Sequence, residues 1–122
     1  MTGNLTEEPR ICPQQRVRYK ASPCPECLVL FVPSQPRQLF CCDRHKKDFH
    51  YRASVRGRQL APLVMAARMT RGGTCGDTAT GKRARADAEQ LIARFAAEDR
   101  AAGRMSAVDY LALRDRKGVM QW

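Results

Sequence analysis

The apolar residues of this chain fall into two regimes. Up to about residue 40 they come in short clusters divided by prolines, and beyond it they recur at helical spacing. "LVLFV" (28–32) is short, apolar and partly β-branched, and reads as a strand. "PSQP" (33–36) is a turn with a proline at each end, and "RQLF" (37–40) reads as the return strand of a hairpin. From Cys41 the pattern becomes helical, with Phe40, His45 and Phe49 at roughly helical spacing, and Gly57 is expected to end or kink that helix. "QLAPLVMAARMTR" (59–71) predicts a further helix with Pro62 in its first turn, where the missing N–H costs nothing. Leu60, Leu63, Val64, Met65, Ala67 and Met69 wrap most of its circumference, which predicts a buried helix. "GGTCGDTATG" (72–81), with four glycines in ten residues, is a loop.

The clearest helix is "KRARADAEQLIARFAAEDRAAG" (82–103), with Thr80 as its expected N-cap. Ala84, Ala88, Leu91, Ile92 and Phe95 form one stripe, Arg85/Glu89 and Arg94/Glu98 are i,i+4 pairs on the outside, and Gly103 is the stop. A last helix opens at Ser106, with Asp109 three residues on as in a capping box, and runs to Gly118. The alternation of apolar stripe and charged face does not depend on a metal, so residues 60–117 are expected to keep their helices without one. No internal repeat or low-complexity segment is visible. Residues 1–20, broken by Pro9 and Pro13, read as a flexible or extended arm.

Composition sharpens this picture. A chain of 122 residues with 43% hydrophobic residues can build one domain, but much of that fraction is alanine, which buries little area. A metal staple would help a core of this kind. No run of eighteen apolar residues exists, and "MTGNLTEEPR" is polar, so the expectation is a cytoplasmic protein without a membrane partner. Cysteines in that compartment stay reduced, and six of them argue for metal or burial rather than disulfides.

The net charge is +10, from 22 basic and 12 acidic residues. It is densest between Arg37 and Arg58, where seven basic residues face only Asp43 and Asp48. Such a surface attracts polyanions before any specific contact forms.

The cysteines supply the chemistry. Cys24 and Cys27 have C-x2-C spacing, a turn that points two thiolates at one ion, and a closed structural zinc site needs four N or S ligands. The second pair comes from "LFCCDRHKKDFHYR" (39–52). Cys41 and His45 are one helical turn apart and complete a Cys3His set of Cys24, Cys27, Cys41 and His45. Cys42 with His45, or His50 as a more distant ligand, are the competing choices. Cys12 and Cys75 have no partner at ligand spacing.

The run "CPEC" followed by thirteen residues and C-x3-H, with Phe40 before the third ligand, resembles treble-clef zinc fingers of the FCS type. These occur in small bacterial and phage proteins, and the YacG gyrase-inhibitor family is similar in this core. By that resemblance Cys24, Cys27 and Cys41 match ligands, His45 stands where the last cysteine would be, and Cys42 stands in the serine position. Phe31 and Phe40 match its aromatics. Leu28 replaces the glycine that usually follows the knuckle, which would distort the turn. The resemblance spans about a quarter of the chain.

The fold expected is therefore mainly α: a small treble-clef-like finger of knuckle, β-hairpin and basic helix over 21–57, then a helical unit of about three helices over 58–122. Structural zinc is the expected cofactor. Nucleic acid is the first expected partner, met by Lys46, Lys47, Tyr51, Arg52, Arg56 and Arg58 on the helix after the ligands. The alternative is a protein-binding inhibitor or adaptor, phage-encoded proteins included, acting on gyrase, polymerase or a defence complex.

Two other signals are set aside. "GDTATGK" (76–82) satisfies G-x-x-x-x-G-K, but Arg83 follows the lysine and no strand precedes the loop, so no nucleotide is expected. A nuclease of the His-metal type needs more histidines than His45 and His50 supply, so no enzyme is expected.

Overall fold

The computed structural model describes residues 19–71 and 76–119. Two short strands, β1 (Ser22–Pro23) and β2 (Leu30–Phe31), are followed by three helices: α1 (Asp43–Met69), α2 (Thr78–Ala101) and α3 (Ala107–Lys117). The fold is mainly helical, with a small antiparallel hairpin ahead of the helices. The expected arm lies almost wholly outside the described residues, as do Cys12 and Cys75.

The hairpin differs from the expected one. β2 pairs with β1, Ser22 opposite Phe31 and Pro23 opposite Leu30, rather than with 37–40. The reason lies in the loop that follows. Pro33 and Pro36 have no N–H to offer a ladder. The Gln38 side chain accepts from the Ser34 backbone N–H (2.8 Å) and hydroxyl (3.2 Å), and its amide donates to the Phe40 carbonyl (2.9 Å). These bonds hold 34–40 as a compact loop without a strand partner. Of "LVLFV" only Phe31 packs against the core; Val29, Leu30 and Val32 are exposed.

α1 begins at Asp43 and runs 27 residues without a break, through both Gly57 and Pro62. The helix break expected at Gly57 is absent, and the 57/58 boundary falls inside α1. Locally, an interior glycine costs about 1 kcal/mol and an interior proline about 3. Pairing with α2 on both sides of these residues offsets the cost. Thr70 meets Gly81 at one end of the pair. Near the other, Arg56 reaches Asp99 (3.0 Å) and Glu98 (3.2 Å), with its guanidinium 4.6 Å from the Phe95 ring centre. The two helices thus run antiparallel.

The expected burial of 60–69 is also absent. No residue of α1 is buried, and Val64, Met65 and Met69 are exposed. Among the described elements, α2 is the one packed along this half of α1, so an apolar circumference is covered on one side.

α2 buries Gly81, Ala84 and Ala88, while Ile92, placed in the stripe by sequence, is exposed. Its N-cap is Asp77, not Thr80: the Asp77 carboxylate accepts from the Thr80 N–H (2.9 Å). Glu98 does not pair along the helix with Arg94 but crosses to Arg56. Asp99 receives Arg56 and also Arg104 (3.0 Å). Burial opposes its charge, but these two guanidinium groups hold its carboxyl below the usual range. α3 starts as the sequence indicates, with the Ser106 hydroxyl accepting from the Asp109 N–H (3.1 Å), and ends at Gly118 with a left-handed φ of 67°.

The core does not lie between α1 and α2. It is a cluster of Cys24, Leu39, Phe40, Met105, Tyr110 and Leu113, with Phe31, Phe49 and Val119 packed against it. Phe49 bridges the two halves, its ring centre 5.1 Å from Phe40 and 4.6 Å from Tyr110. The Met105 N–H donates to the Pro25 carbonyl (3.0 Å) and the Lys117 ammonium donates to the Ser22 hydroxyl (2.9 Å). α3 is therefore part of the finger's core. Among the described residues no helix is long and apolar enough to cross a membrane.

Candidate metal centre

The knuckle at residues 24–28 closes on itself. The Leu28 N–H donates to the Cys24 carbonyl (2.7 Å), and the Cys24 N–H donates to the Val29 carbonyl (3.1 Å). Turning the chain this tightly places Leu28 at φ 63°, a left-handed conformation that suits glycine. The leucine tolerates it with its side chain half in solvent.

Cys24 and Cys27 enter from this turn, Cys41 from the approach to α1, and His45 from its first turn. One ligand atom from each lies within 4.8 Å of every other. Cys27 Sγ is 3.9 Å from Cys41 Sγ, Cys24 Sγ is 3.9 Å from His45 Nδ1, and Cys41 Sγ is 3.2 Å from His45 Nδ1. A tetrahedral zinc with ordinary bond lengths separates two sulfurs by about 3.8 Å and sulfur from nitrogen by about 3.5 Å. The donor set fits zinc: three thiolates and an imidazole, buried to half-buried, on two backbone elements tied to one core.

Protonation of Cys24 and Cys41 points the same way. Burial opposes ionisation of Cys24, yet N–H groups of Cys41, Glu26 and Cys27, with the contact to His45, lower its pKa to about 7. Cys41 is pushed up to about 12 by burial and by sharing protons with Cys24 and Cys27. Thiols this close compete for a proton, and a divalent cation relieves that competition.

Cys42 is exposed and stands at the N-cap of α1 with no side-chain cap bond. Of the two adjacent cysteines, the fold brings Cys41 and not Cys42 into the cluster. His50 is also outside the cluster. Its ring sits edge-on to Phe40 and Phe49, each centre 5.6 Å away.

The basic residues of α1 divide into two groups. Arg52 is held by Glu26 of the knuckle through both guanidinium nitrogens, and Arg56 by Asp99 and Glu98. Both were placed by sequence with the nucleic-acid contacts; in the structure their charges are paired within the chain. Lys46, Lys47, Tyr51 and Arg58 remain exposed, Tyr51 at 72%. Glu26 and Asp99, which fix the helix against the knuckle and α2, gave no signal beyond being acidic residues in a basic chain. Their partners are 26 and 43 residues away.

The residues of "GDTATGK" serve the start of α2. Asp77 sets a carboxylate at the helix N-terminus, and a Cβ on Gly81 would fall 1.7 Å from Thr70 Oγ1. The glycine permits close helix approach.

No family model, no curated protein and no solved structure matches the chain. The likeness to FCS-type fingers therefore rests on the motif residues themselves.

Proposed function

We propose that this chain is a zinc-binding module that uses its basic helix to hold nucleic acid. The observation that carries the reading is the position of the Cys3His cluster at the start of α1. Zinc on Cys24, Cys27, Cys41 and His45 would join the knuckle to the first turn of the helix and fix the angle at which α1 is displayed. The ion's part is structural. With Arg52 and Arg56 engaged internally, the exposed Lys46, Lys47, Tyr51 and Arg58 are the groups left to meet phosphates and a base. The role proposed is one of binding.

The test combines metal analysis with titration. Purified protein should carry one zinc per chain. It should bind DNA or RNA with a salt dependence that falls by about one unit for each phosphate contact removed from Lys46, Lys47 or Arg58. Zinc-loaded protein that binds no nucleic acid at low salt would defeat the nucleic-acid half of the reading and leave the metal half standing.

A second reading, an adaptor or inhibitor that docks on another protein, draws on one observation. Val29, Leu30 and Val32, on and beside β2, are each at least 61% exposed. Exposed apolar clusters of this kind often mark protein contacts. A nuclease-resistant, stoichiometric complex lost on Leu30→Asp would favour it.

A further inference from the structure

A groove of about 730 Å3 opens beside the Cys3His cluster, between the 34–40 loop, the first two turns of α1, Tyr110 of α3 and Val119 just beyond it. Its volume is within the roughly 300–1,000 Å3 usual for clefts that enclose small molecules. Leu39, Phe40 and Tyr110 lie at its bottom, each less than a tenth exposed, and the half-buried His50 ring lines it too. Arg37 and Lys46 line it as well, and neither side chain makes an ion pair or hydrogen bond among the described residues. Ser34 and Gln35 add polar groups, and Asp43 adds one carboxylate.

Two cations whose side chains have no partner, a half-buried imidazole above a bottom edged by aromatic rings, and short polar side chains form the combination that an unpaired nucleotide requires. Phosphate oxygens take the cations, the base lies against the rings, and amide, hydroxyl or carboxylate groups read its edge. A duplex, with its bases stacked inside, cannot offer a base to such a recess. Lys46 and Lys47 are successive residues, about 100° apart around α1. A strand leaving the groove at Lys46 therefore meets Lys47 and, one turn on, Tyr51.

We infer that this groove is a site for unpaired nucleotides, and that the protein prefers single-stranded or locally opened nucleic acid over continuous duplex. The inference rests on the nucleic-acid reading above and names its substrate class. Arg37, which sequence reasoning left out of the binding set, is a specificity residue of the groove; Lys47 and Arg58 serve the open face of α1.

The probes are a fluorescent twelve-nucleotide oligo-dT and a blunt duplex hairpin of equal charge, titrated against full-length, zinc-loaded protein. Gln35→Ala/Arg37→Ala changes two exposed side chains that hold no structural bond, and equal zinc content and melting temperature would verify its fold. The expected result is tighter binding of oligo-dT by the unaltered protein. The double variant should then lose about fivefold or more on the single strand and little on the duplex. Lys47→Ala/Arg58→Ala should weaken both probes alike. Equal losses on both probes for the groove variant, or no loss on either, would overturn the groove while leaving the nucleic-acid reading intact. Failure of the unaltered protein to bind either probe would overturn both. Poly-glutamate binding as tightly as oligo-dT, and weakened by the same double variant, would assign the groove to acidic peptides instead.

Discussion

At the scale of single residues, the two adjacent cysteines give the sharpest contrast. Cys41 belongs to the Cys3His cluster that could hold a metal, and Cys42 occupies the helix N-cap in an extended conformation (φ −156°, ψ 164°) without bonding the helix's free N–H groups. Serine is among the best N-cap residues, and its hydroxyl is worth about 1 kcal/mol over a residue that cannot cap. Cys42→Ser should therefore raise the melting temperature and keep one zinc. Cys41→Ser should lose tight zinc binding and destabilise the protein severely. Metal analysis and thermal melts of the two variants check this, and full zinc retention in Cys41→Ser would remove it from the ligand set. Leu28 offers a second gain. A left-handed non-glycine residue costs about 1–2 kcal/mol, and this side chain is 44% exposed, so Leu28→Gly surrenders little packing. A net stabilisation of about 0.5–1 kcal/mol is expected after the added freedom of the unfolded chain is counted. A variant that melts at or below the parent temperature would show that the Leu28 side chain contributes more than its backbone costs.

At the scale of elements, the glycines of α1 and α2 look alike in sequence and are opposite in structure. Gly57 has nothing within 4 Å of where a Cβ would stand, so Gly57→Ala should stabilise α1 by about 0.5–1 kcal/mol. At Gly81 the same methyl would overlap the Thr70 side chain, whose hydroxyl is committed to the Ala66 carbonyl (2.9 Å). Gly81→Ala should cost about 1–3 kcal/mol despite alanine's better helix propensity. Denaturant melts of both variants measure the signs, and a neutral Gly81→Ala would mean that the α1–α2 contact yields easily. The contrast also shows what the sequence could reveal. Cys24, Cys27, Cys41 and His45 were readable because ligand spacing is local: a turn supplies two donors and one helical turn supplies the others. The limits of α3 were readable because Ser106 and Gly118 act on their own neighbours. The unbroken α1 was not, since local penalties at Gly57 and Pro62 are overcome by a partner helix distant in sequence. The hairpin was misread for a related reason. Nothing in "RQLF" reveals that Gln38 turns back to bind Ser34, or that Ser22–Pro23 lies across from Leu30–Phe31. The paired state of Arg52 and Arg56 depends on Glu26 and Asp99, and charge density alone cannot separate paired from free arginines.

At the scale of the whole molecule, the question is what remains folded when the metal is removed. By its sequence pattern the unit 60–117 needs no metal, but the packing divides the chain differently. Met105, Tyr110 and Leu113 share a core with Cys24, Leu39 and Phe40, so α3 is joined to the finger. The α1–α2 pair buries only Gly81, Ala84 and Ala88, which is little for two helices standing alone. Zinc binding in finger peptides contributes about 10–16 kcal/mol, as large as the entire stability of an ordinary domain. Its loss cannot be confined to the four ligands. Chelation at neutral pH is expected to abolish hydrogen-exchange protection across the knuckle, the 34–40 loop and α3 together. The near-ultraviolet signal of Tyr110 should go with it. The Arg56–Asp99–Arg104 network, which contains no ligand, should leave residual slow exchange between the middle of α1 and the second half of α2. Re-addition of zinc should restore all three regions in a single step. If α3 stays protected in the chelated protein while the knuckle exchanges freely, the aromatic cluster holds without metal, and the zinc's structural role shrinks to orienting the first turn of α1.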